Sequence, residues 1–591
     1  MLLRKPKIGS WYSLPAFISL FALAGFSYAA DLNNPVLTKP SQNTLNRKHL
    51  NPPIHTIHFQ GVSSATELLA LTQTANAFLQ ANPNLTIADP QFSELLTQLT
   101  VQLRNQHYPI AQVVMLPLNA QSQAALQTQG AITLHVFLGQ VGKISIDNNS
   151  TVASTFLNAS FEEALCDTVN LTQSATPAES APSNDLATAP QGCILTTRKL
   201  ERAVALTKLI PGVYDAGVTL TPQGVGPGQT QAVVTVNGPQ TNYRGFVTAD
   251  NYGIPSTGVG RLGATFGGTS ILRDGDSLDA NLYVTAQNYW AGLLDWNQPI
   301  GYSGMRFGTQ LSQMQFVSAL GGNNVNGTAQ SIMLGLSDPL VFHFDQVQRL
   351  QLSAGYTKST SSVAGISYQD RKIPFITAGI SGNTGLRPAN NYQEPFYAWA
   401  AQVTYGKVSD SAPNAEQIYA ATSQILGDFA KLNAQVQARQ PLGDTAYYVG
   451  LNLRGQGASR NLDPSLMMAF GGIDGVRAYP ITQGSFTNGA IASLDLKRNF
   501  VLNESTTLVL GAFTDYVTAS IYRYTWSGWN SANPSLGNSV HLSGYGLSAD
   551  LYYKKLSASI ALANRYGFSA APVGSTGGFD GRIWAVGRWA F

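Results

Sequence analysis

The chain has 591 residues, of which only 11% are charged and 44% are hydrophobic. Ordinary soluble proteins carry about 25% charged residues, so this composition argues against a typical cytosolic enzyme. A formal net charge of +3, without a basic cluster, also argues against nucleic acid as a partner. The 56 glycines, 25 tyrosines and 25 phenylalanines favour many short strands, as in all-β and barrel proteins.

The N-terminal sequence predicts export. Three of the first seven residues are basic, residues 14–26 are apolar, and small residues precede a cleavage position after Ala29. The apolar run is shorter than the roughly 20 residues of a spanning helix, so we interpret residues 1–29 as a signal peptide and not as an anchor. No later stretch resembles a spanning helix, which leaves a periplasmic, secreted or outer-membrane protein. The proline-rich residues 30–53 are interpreted as a tether or plug region.

Two cysteines, Cys166 and Cys193, fit an oxidising compartment. The intervening residues 167–192 are rich in Ala, Ser, Thr and Pro, which predicts a surface loop. A disulfide at the base of this loop would stabilise the fold by about 3–4 kcal/mol. Metal ligation is the alternative, but no histidines lie nearby in the sequence.

Between this tether and residue 238, two stretches show the same order of elements. In the first, a strand pattern at 54–61 precedes helical spacing of Phe92, Leu95, Leu96, Leu99 and Leu103 and strand patterns at 111–118 and 131–139. The second stretch has strand, helix, helix, strand and strand patterns at 142–148, 154–165, 198–209, 216–222 and 231–237. We predict two α+β modules of βααββ order, at 54–140 and 141–238, the second with a loop insertion at 167–192.

From residue 239 onward the apolar residues alternate with polar ones. In residues 277–287, "SLDANLYVTAQ", Leu278, Ala280, Leu282, Val284 and Ala286 share one face. The pattern recurs near residues 350, 447 and 547, without a helical region long enough to cover a sheet. Soluble sheets also alternate, but the repetition favours a transmembrane antiparallel β-barrel at 239–591. Its length suits about sixteen strands, at roughly 22 residues for each strand and its loop.

The last strand pattern, "GRIWAVGRWAF", ends the chain on an aromatic residue. Ile583, Ala585, Gly587, Trp589 and Phe591 fall on one face of this strand. A terminal amphipathic strand of this kind, here with Trp589 and Phe591, resembles the signal that bacterial outer-membrane barrels present to the barrel-assembly machinery.

Two such modules followed by a barrel resemble the outer-membrane transporters of two-partner secretion, the haemolysin and filamentous-haemagglutinin secretion and activation proteins. The modules would be POTRA domains. "YPIAQVVMLPLNAQ" and "GAITLHVFLGQVGKI" resemble the first of them, and "RKLERAVALTKLIPGV" resembles the second. "TADNYGIPSTGVGRLGATF" is similar to the family's first barrel strand, and "LLDWNQPIGYSGMRFG" and "LSDPLVF" look like later strands.

The most specific element is "GGIDGVRAYP" at residues 471–480. It resembles the Val-Arg-Gly-Tyr motif at the tip of the family's sixth extracellular loop, which folds back into the barrel. The resemblance assigns Gly475, Val476, Arg477 and Tyr479 to a pore-loop motif. Ala478 stands where the family usually has glycine.

In the family this motif meets an aspartate in a Phe-x-Asp-x-Gly strand, to which "FTDYV" at residues 513–517 is similar. Phe513 and Asp515 would then face Arg477 across the lumen, with Val517 in place of the usual glycine. Alternation gives the same direction, because Leu508, Leu510 and Ala512 share the opposite face. A buried carboxylate costs several kcal/mol unless it is paired, and a guanidinium can offset that cost with two hydrogen bonds. In the alternative reading, Arg477 lies on an exposed loop tip and Asp515 lines water.

No sequence feature supports catalysis, a cofactor or a metal. His55 and His58 fall on opposite faces of a strand, Ser303 lacks a nucleophile-elbow spacing, and the glycine-rich 222–228 connection lacks a nucleotide loop's lysine. The resemblance therefore implies a non-enzymatic transporter in the bacterial outer membrane, with its POTRA modules in the periplasm.

The resemblance also implies the partner and the route. A large secreted β-helical exoprotein would be captured by an exposed strand edge, at 231–237 or 132–138, and translocated unfolded. Outer-membrane lipid would surround a monomeric barrel. A barrel-assembly insertase is the main alternative, and a passive porin is a second one that the two modules disfavour.

Overall fold

The computed structural model describes residues 52–62, 64–166, 193–221, 228–320, 323–343, 346–384, 394–443, 446–531, 537–566 and 581–591. The predicted signal peptide, nearly all of the predicted tether and the predicted loop insertion at 167–192 lie outside these residues. No helix in the described part of the chain combines the length and apolar character needed to cross a membrane.

The first module is an α+β unit of three helices and three strands. Its elements are β1 (Thr56–Gln60), α1 (Ala65–Ala81), α2 (Pro90–Asn105), β2 (Gln112–Val114), α3 (Ala120–Gln129) and β3 (Ala131–Phe137). The strands form one sheet in the order β1-β3-β2, with β1 parallel to β3. Four of the five apolar residues of α2 that share a helical stripe, Phe92, Leu95, Leu99 and Leu103, are buried in the module's core, as their spacing predicts.

The first module differs from the predicted βααββ unit by one additional helix and one shortened strand. Helix α3 was not predicted because it buries only Leu126 and so has no apolar stripe. Residues at its own ends set the length of α3. The side chain of Asn119 caps its first turn, and Gly130 ends the helix with a positive φ. The strand predicted at 111–118 shrinks to the three residues of β2, and Pro117 has no N–H to donate to a sheet.

The second module repeats the arrangement, with two helices among its described residues. Its elements are β4 (Gln140–Asn149), α4 (Ser154–Cys166), β5 (Cys193–Ile194), α5 (Thr197–Lys208), β6 (Asp215–Thr221) and β7 (Gln229–Asn237). The sheet order is β5-β4-β7-β6, with β4 and β7 parallel and β6 and β7 antiparallel. Leu157 and Phe161 of α4 pack with Val204 of α5 and Val234 of β7 in its core.

The prediction that the strand at 231–237 or at 132–138 has an exposed edge is wrong in both cases. Residues 231–237 belong to β7 and residues 132–138 to β3, and each of these strands lies between two neighbours. Their alternate residues are buried against the helices, and the strand that returns last in each module pairs parallel to the first. Both backbone edges of β3 and of β7 are therefore already hydrogen-bonded to neighbouring strands. Among the strands that the structure describes, β1, β2, β5 and β6 are the outer strands of the two sheets.

The rest of the chain forms a closed barrel and the loops at its rims. Its elements are β8 (Tyr243–Asp250), β9 (Arg261–Thr269), β10 (Ser277–Thr285), β11 (Tyr289–Pro299), β12 (Arg306–Leu320), β13 (Asn323–His343), β14 (Gln346–Val363), β15 (Ile366–Thr384), β16 (Phe396–Asp410), α6 (Ala415–Ala421), β17 (Gly427–Pro441), β18 (Tyr447–Ala458), β19 (Met468–Ala469), β20 (Ser485–Phe486), β21 (Asn488–Asn503), β22 (Thr506–Ser520), β23 (Ser539–Tyr553), β24 (Leu556–Arg565) and β25 (Arg582–Ala590). All except β19, β20 and α6 are barrel strands. They number sixteen, and β25 closes the barrel against β8.

The period of two in the barrel strands separates an apolar outer face from a polar lumen, as predicted. Leu282, Leu352, Leu453 and Leu551 are exposed on the outer face. Because cross-strand partners share a face, the register carries this orientation from strand to strand around the barrel. Asp515 is fully buried and faces the lumen, and the cross-strand partners traced from its face of β22 identify the lumen-facing side chains of the other strands.

The second module packs directly on one rim of the barrel. The Phe156 ring of α4 lies 5.5 Å from the ring of Tyr302, in the turn between β11 and β12. Val347 of β14 belongs to the module's own apolar core. This contact distinguishes the two rims of the barrel. One rim contacts the modules, and the loop between β18 and β21 begins at the opposite rim.

Candidate functional site

The loop between β18 and β21 turns sharply at the predicted motif. Four backbone hydrogen bonds close the turn: Val476 N–H donates to Phe470 O (2.8 Å), Gly472 N–H to Tyr479 O (2.8 Å), Gly475 N–H to Gly472 O (3.1 Å) and Tyr479 N–H to Val476 O (3.0 Å). A Cβ on Gly475 would lie 2.6 Å from two carbonyl oxygens of the same turn. Glycine is therefore required there, and the turn presents Arg477 to the barrel wall. We call residues 471–480 the loop tip.

Arg477 and Asp515 are in direct contact. The guanidinium donates to both carboxylate oxygens of Asp515, with Nη2 to Oδ1 at 2.7 Å and Nε to Oδ2 at 2.9 Å. The backbone N–H of Arg477 donates to Oδ2 as well, also at 2.9 Å. The Asp515 side chain is fully buried and that of Arg477 is 12% exposed. Paired hydrogen bonds of this kind fix geometry as well as charge, so one carboxylate holds both the side chain and the backbone of the loop tip.

Two further groups of the wall hold the same guanidinium. Asp495 of β21 accepts from Arg477 Nη1 at 3.1 Å. The Phe513 ring lies beneath the guanidinium, with 3.4 Å between the Arg477 Cζ and the ring centroid. Asp495 was missed in the sequence, although it lies on the same alternating face of "SLDLKRNF" as Ser493 and Lys497. Only the register of β21 and β22, which places Asp495 opposite Phe513, marks it as a partner.

The loop tip is also tied to the strand that closes the barrel. The indole N–H of Trp584 in β25 donates to the carbonyl oxygen of Arg477 at 2.7 Å. Its ring packs edge-on against Tyr252, 5.8 Å away. In the sequence, only the alternation of β25 marks Trp584, because it points this side chain away from the apolar face formed by Ile583 and Trp589. The tip therefore bridges β21 and β22 to the β25 seam.

An apolar cluster surrounds these polar contacts within the lumen. Val476, Ala478 and Tyr479 of the loop tip are buried with Val517 and Leu542 of the wall. Ala478 and Val517, the two departures from the family's glycine pattern, thus pack in the cluster while Arg477 still reaches Asp515. The loop tip is fixed by apolar packing on both sides of an ion pair.

A comparison with known proteins identifies the family. Residues 228–537 match the family model described as haemolysin secretion/activation protein ShlB/FhaC/HecB. The chain belongs to this family. Its members are outer-membrane transporters of two-partner secretion, which export a partner protein.

Relatives and solved structures agree with this assignment. The heme/hemopexin transporter protein HuxB of Haemophilus influenzae strain 86-028NP is 24% identical over 463 residues, 77% of this chain and 73% of that protein. The strain ATCC 51907 protein is 24% identical over 440 residues, 73% of this chain and 70% of its own length. The structures of CdiB from Escherichia coli and from Acinetobacter baumannii, each 15% identical and covering 94% of both chains, superpose with TM-scores of 0.65 and 0.58.

These matches orient the transporter in the cell. Its barrel lies in the bacterial outer membrane, and the N-terminal α+β region, which has the POTRA arrangement, lies in the periplasm. The rim that contacts the second POTRA module is periplasmic, and the loop tip enters the barrel from the extracellular side. The family match favours two-partner secretion over the alternative of a barrel-assembly insertase.

A second charge cluster of the transporter lies near the extracellular rim. Arg371 of β15 forms ion pairs with Asp410 of β16 and with Asp463, which precedes the loop tip. It also donates to the hydroxyl of Tyr419 in α6 at 2.6 Å. The side chains of Arg371, Asp410 and Asp463 are 9% exposed or less. We call residues 459–467, which carry Asp463, the loop shoulder.

Asn461 extends this shoulder to the neighbouring loops. Its side-chain amide donates to the carbonyl oxygens of Ser423 and Tyr524, each at 2.8 Å, and its Oδ1 accepts from Tyr524 N–H at 2.9 Å. Asn461 is buried. The loop between β18 and β21 is therefore anchored twice, at its shoulder near the rim and at its tip inside the lumen.

The two cysteines are bonded to each other, with 5.2 Å between their Cα atoms. Cys193 pairs with Val141 in β4, and the next residues continue this attachment, as Leu195 N–H donates to Gly139 O at 3.0 Å. Thr197 N–H then donates to His107 O of the first module at 2.9 Å. The disulfide thus fixes the start of a segment that joins the two POTRA modules.

The C-terminal aromatic residues lie on the outer face of the barrel. Trp589 and Phe591 are largely exposed, with 6.0 Å between their rings. Phe591 N–H donates to Gly245 O at 3.0 Å, and the Phe591 ring occupies the space that a side chain at Gly245 would fill. The end of the chain is thereby placed against the first barrel strand at the periplasmic rim.

Proposed function

We propose that the loop tip is the gate of this transporter and that Arg477 is the residue that holds it closed. The observation that carries the proposal is the contact of one buried carboxylate, Asp515, with both the guanidinium and the backbone N–H of Arg477. A polypeptide passing through the barrel has to share the lumen with this tip. Passage therefore requires the tip to move or leave.

The closed state is supported by energetics. Removing one partner of a buried ion pair costs about 3–5 kcal/mol, because the other charge is left without compensation. Release of the tip separates Arg477 from Asp515 and Asp495 and exposes the apolar cluster. A translocating chain favours the open state only if it binds that state better, so its own contacts with the lumen shift the equilibrium.

Capture of the exported partner is proposed at strand β6 of the second POTRA module. β6 has seven residues and is an outer strand of its sheet, whereas the outer strands β1, β2 and β5 have five, three and two. An extended segment of the partner can add to this edge through backbone hydrogen bonds. The edge lies in the module that packs on the barrel, so a captured segment is held beside the pore.

The remaining steps need no cofactor in this proposal. The partner crosses unfolded, and its folding outside the cell gives direction. The transporter acts as a monomer, with outer-membrane lipid on its apolar face, and the barrel-assembly machinery inserts it by recognising the strand that ends in Trp589 and Phe591. We also propose a large β-helical exoprotein as the cargo and residues 1–29 as a cleaved signal peptide.

Deletion of the gene should remove a single protein from the cell surface, and that protein is the partner. Returning the gene without residues 54–238 should leave the barrel in the outer membrane but abolish secretion of the partner. Normal secretion by this deletion would contradict capture by the modules. A general loss of outer-membrane barrels after gene deletion would instead favour the insertase.

The β6 edge is tested by single prolines at Val218 and Thr219. Adjacent residues of a strand direct their N–H groups alternately toward and away from the neighbouring strand, so one of these prolines removes a donor only from the free edge. The variant that keeps the protease resistance of the second module should lose secretion. Thr219→Val keeps the backbone donor and is the matched control. Full secretion by both proline variants would contradict capture at β6.

A further inference from the structure

The lumen wall of the barrel carries more basic than acidic side chains. By the strand register, twelve of the sixteen arginines and lysines in the described barrel strands face the lumen, with seven aspartates and no glutamate. The loop tip adds Arg477. A water-filled passage whose lining has a net charge raises the local concentration of ions of the opposite sign.

All seven lumen aspartates of these strands are already engaged. Asp410, Asp495 and Asp515 hold Arg371 and Arg477. Asp295 accepts from the amide of Gln310 at 3.3 Å. The other three ion pairs are Asp250 with Arg261 (2.8 Å), Asp279 with Arg244 (2.7 Å) and Asp550 with Lys497 (3.1 Å).

Several basic side chains of the wall have no such carboxylate partner. In the described part of the chain, no ion pair is formed by Arg349, Arg454 or Lys431. Arg349 lies near the periplasmic rim, Arg454 lies midway along the barrel, and Lys431 lies near the extracellular rim. Arg306, beside the periplasmic rim, lies near both Arg349 and the carboxylate of Asp276, and it donates to the carbonyl oxygens of Gly275 and Asn297. Positive charge therefore extends along the whole length of the wall.

We infer that this pore favours a translocating segment whose side chains are uncharged or acidic, and that it disfavours clusters of lysine and arginine. Such a segment finds guanidinium and ammonium donors at each level of the wall. A basic segment finds like charges and carboxylates that are already bonded, and like-charge repulsion grows in the low dielectric of a narrow pore. This inference rests on the translocation function and specifies the chemistry of the chain that passes.

The test measures ion selectivity of the full-length protein in a planar lipid bilayer across a KCl gradient, without any partner protein. The wild type should pass Cl⁻ over K⁺ by roughly threefold, in line with the charge of the wall. The double variant Arg349→Gln, Arg454→Gln should lower that preference to below about twofold. Lys358→Gln with Lys407→Gln removes the same charge from the outer face and should leave the preference unchanged.

A second measurement uses two unstructured 20-residue Gly-Ser peptides, one with five Asp and one with five Lys, added on the periplasmic side. The acidic peptide should block the current for at least about tenfold longer than the basic one, and the double variant should reduce that ratio. If the wild type is silent, Arg477→Ala is measured in its place. K⁺ selectivity, equal blocking by both peptides, or no current from either protein would overturn the inference. None of these results bears on whether the gene exports a partner in cells.

Discussion

Ala478 of the loop tip packs against Gly544 of strand β23. A Cβ built on Gly544 would lie 2.8 Å from the Ala478 Cβ and 3.2 Å from a methyl carbon of Val476. Gly544 is also the cross-strand partner of Asp515, so the space it leaves lies beside the carboxylate that binds Arg477. Gly544 therefore leaves the space that the methyl group of Ala478 occupies. Arg477 reaches Asp515 although the loop has no glycine at position 478.

Gly544→Ala is expected to loosen the closed gate, because two methyl groups cannot approach to 2.8 Å. Cells with this variant should become sensitive to vancomycin, which is too large for ordinary porins, and the bilayer current should increase. Ala478→Gly in the same chain should restore the closed pore. Gly587→Ala is the matched control, since an added Cβ there meets nothing within 4 Å. A closed Gly544→Ala pore would mean that this contact does not set the position of the tip.

Loss of Asp515 is expected to open the pore more than loss of Asp495. Asp515 accepts three hydrogen bonds from Arg477, one of them from the backbone, whereas Asp495 makes longer contacts with the side chain alone. Asp515→Ala should therefore raise the open fraction in bilayer recordings above that of Asp495→Ala. Arg477→Ala should match Asp515→Ala. Equal, small effects of all three would show that the apolar cluster alone holds the tip.

Exchange of the two charges tests the same pair more strictly. In the double variant Arg477→Asp, Asp515→Arg, the ion pair can reform, but residue 515 no longer accepts the backbone N–H of residue 477. We therefore expect partial recovery of the closed state over either single change, measured as the open fraction in the same recordings. Harmless single changes together with no recovery in the double variant would contradict the role assigned to Arg477.

The parts of this structure that follow a local period were predictable from the sequence. The alternation of Leu278, Leu282 and Val284 with polar residues indicates a strand that has an apolar environment on one face and a polar one on the other. This holds whichever strands are its neighbours. The apolar stripe of α2 is local in the same way. The pairing of Arg477 with Asp515 came from resemblance to a family motif, because nothing local relates two residues 38 positions apart.

The parts that depend on which strands become neighbours were not predictable. The identity of Asp495 and Trp584 as partners of Arg477 follows from strand register and barrel closure, which alternation leaves open. The wrong edges at 132–138 and 231–237 have the same origin, since an alternating strand looks alike at the centre and at the edge of a sheet. Helix α3 was missed for a different reason, because a helix with one buried residue has no stripe.

Removal of the disulfide should destabilise the second POTRA module. Cys166 and Cys193 are 27 positions apart, and closing a loop of that length is worth about 3–4 kcal/mol by restriction of the unfolded chain. Cys166→Ser with Cys193→Ser in the full chain should make this module more sensitive to protease and lower its unfolding temperature. Reductant should reproduce this effect in the wild type and do nothing further to the variant. Unchanged protease sensitivity would show that the attachment of β5 to β4 holds without the bond.

Arg371 should be required for the loop shoulder even though it is remote from Arg477. Arg371→Met leaves the carboxylates of Asp410 and Asp463 buried without their cation, a change that costs about 3–5 kcal/mol. We expect a lower unfolding temperature of the barrel, measured by its heat-dependent gel mobility, and greater mobility of a spin label at Ser465. Asp463→Asn in the same chain removes one unpaired charge and should recover part of the lost unfolding temperature. The control is Lys372→Met, which lies one residue along on the outer face. A spin label that is no more mobile in Arg371→Met would indicate that Asn461, through Ser423 and Tyr524, anchors the shoulder by itself.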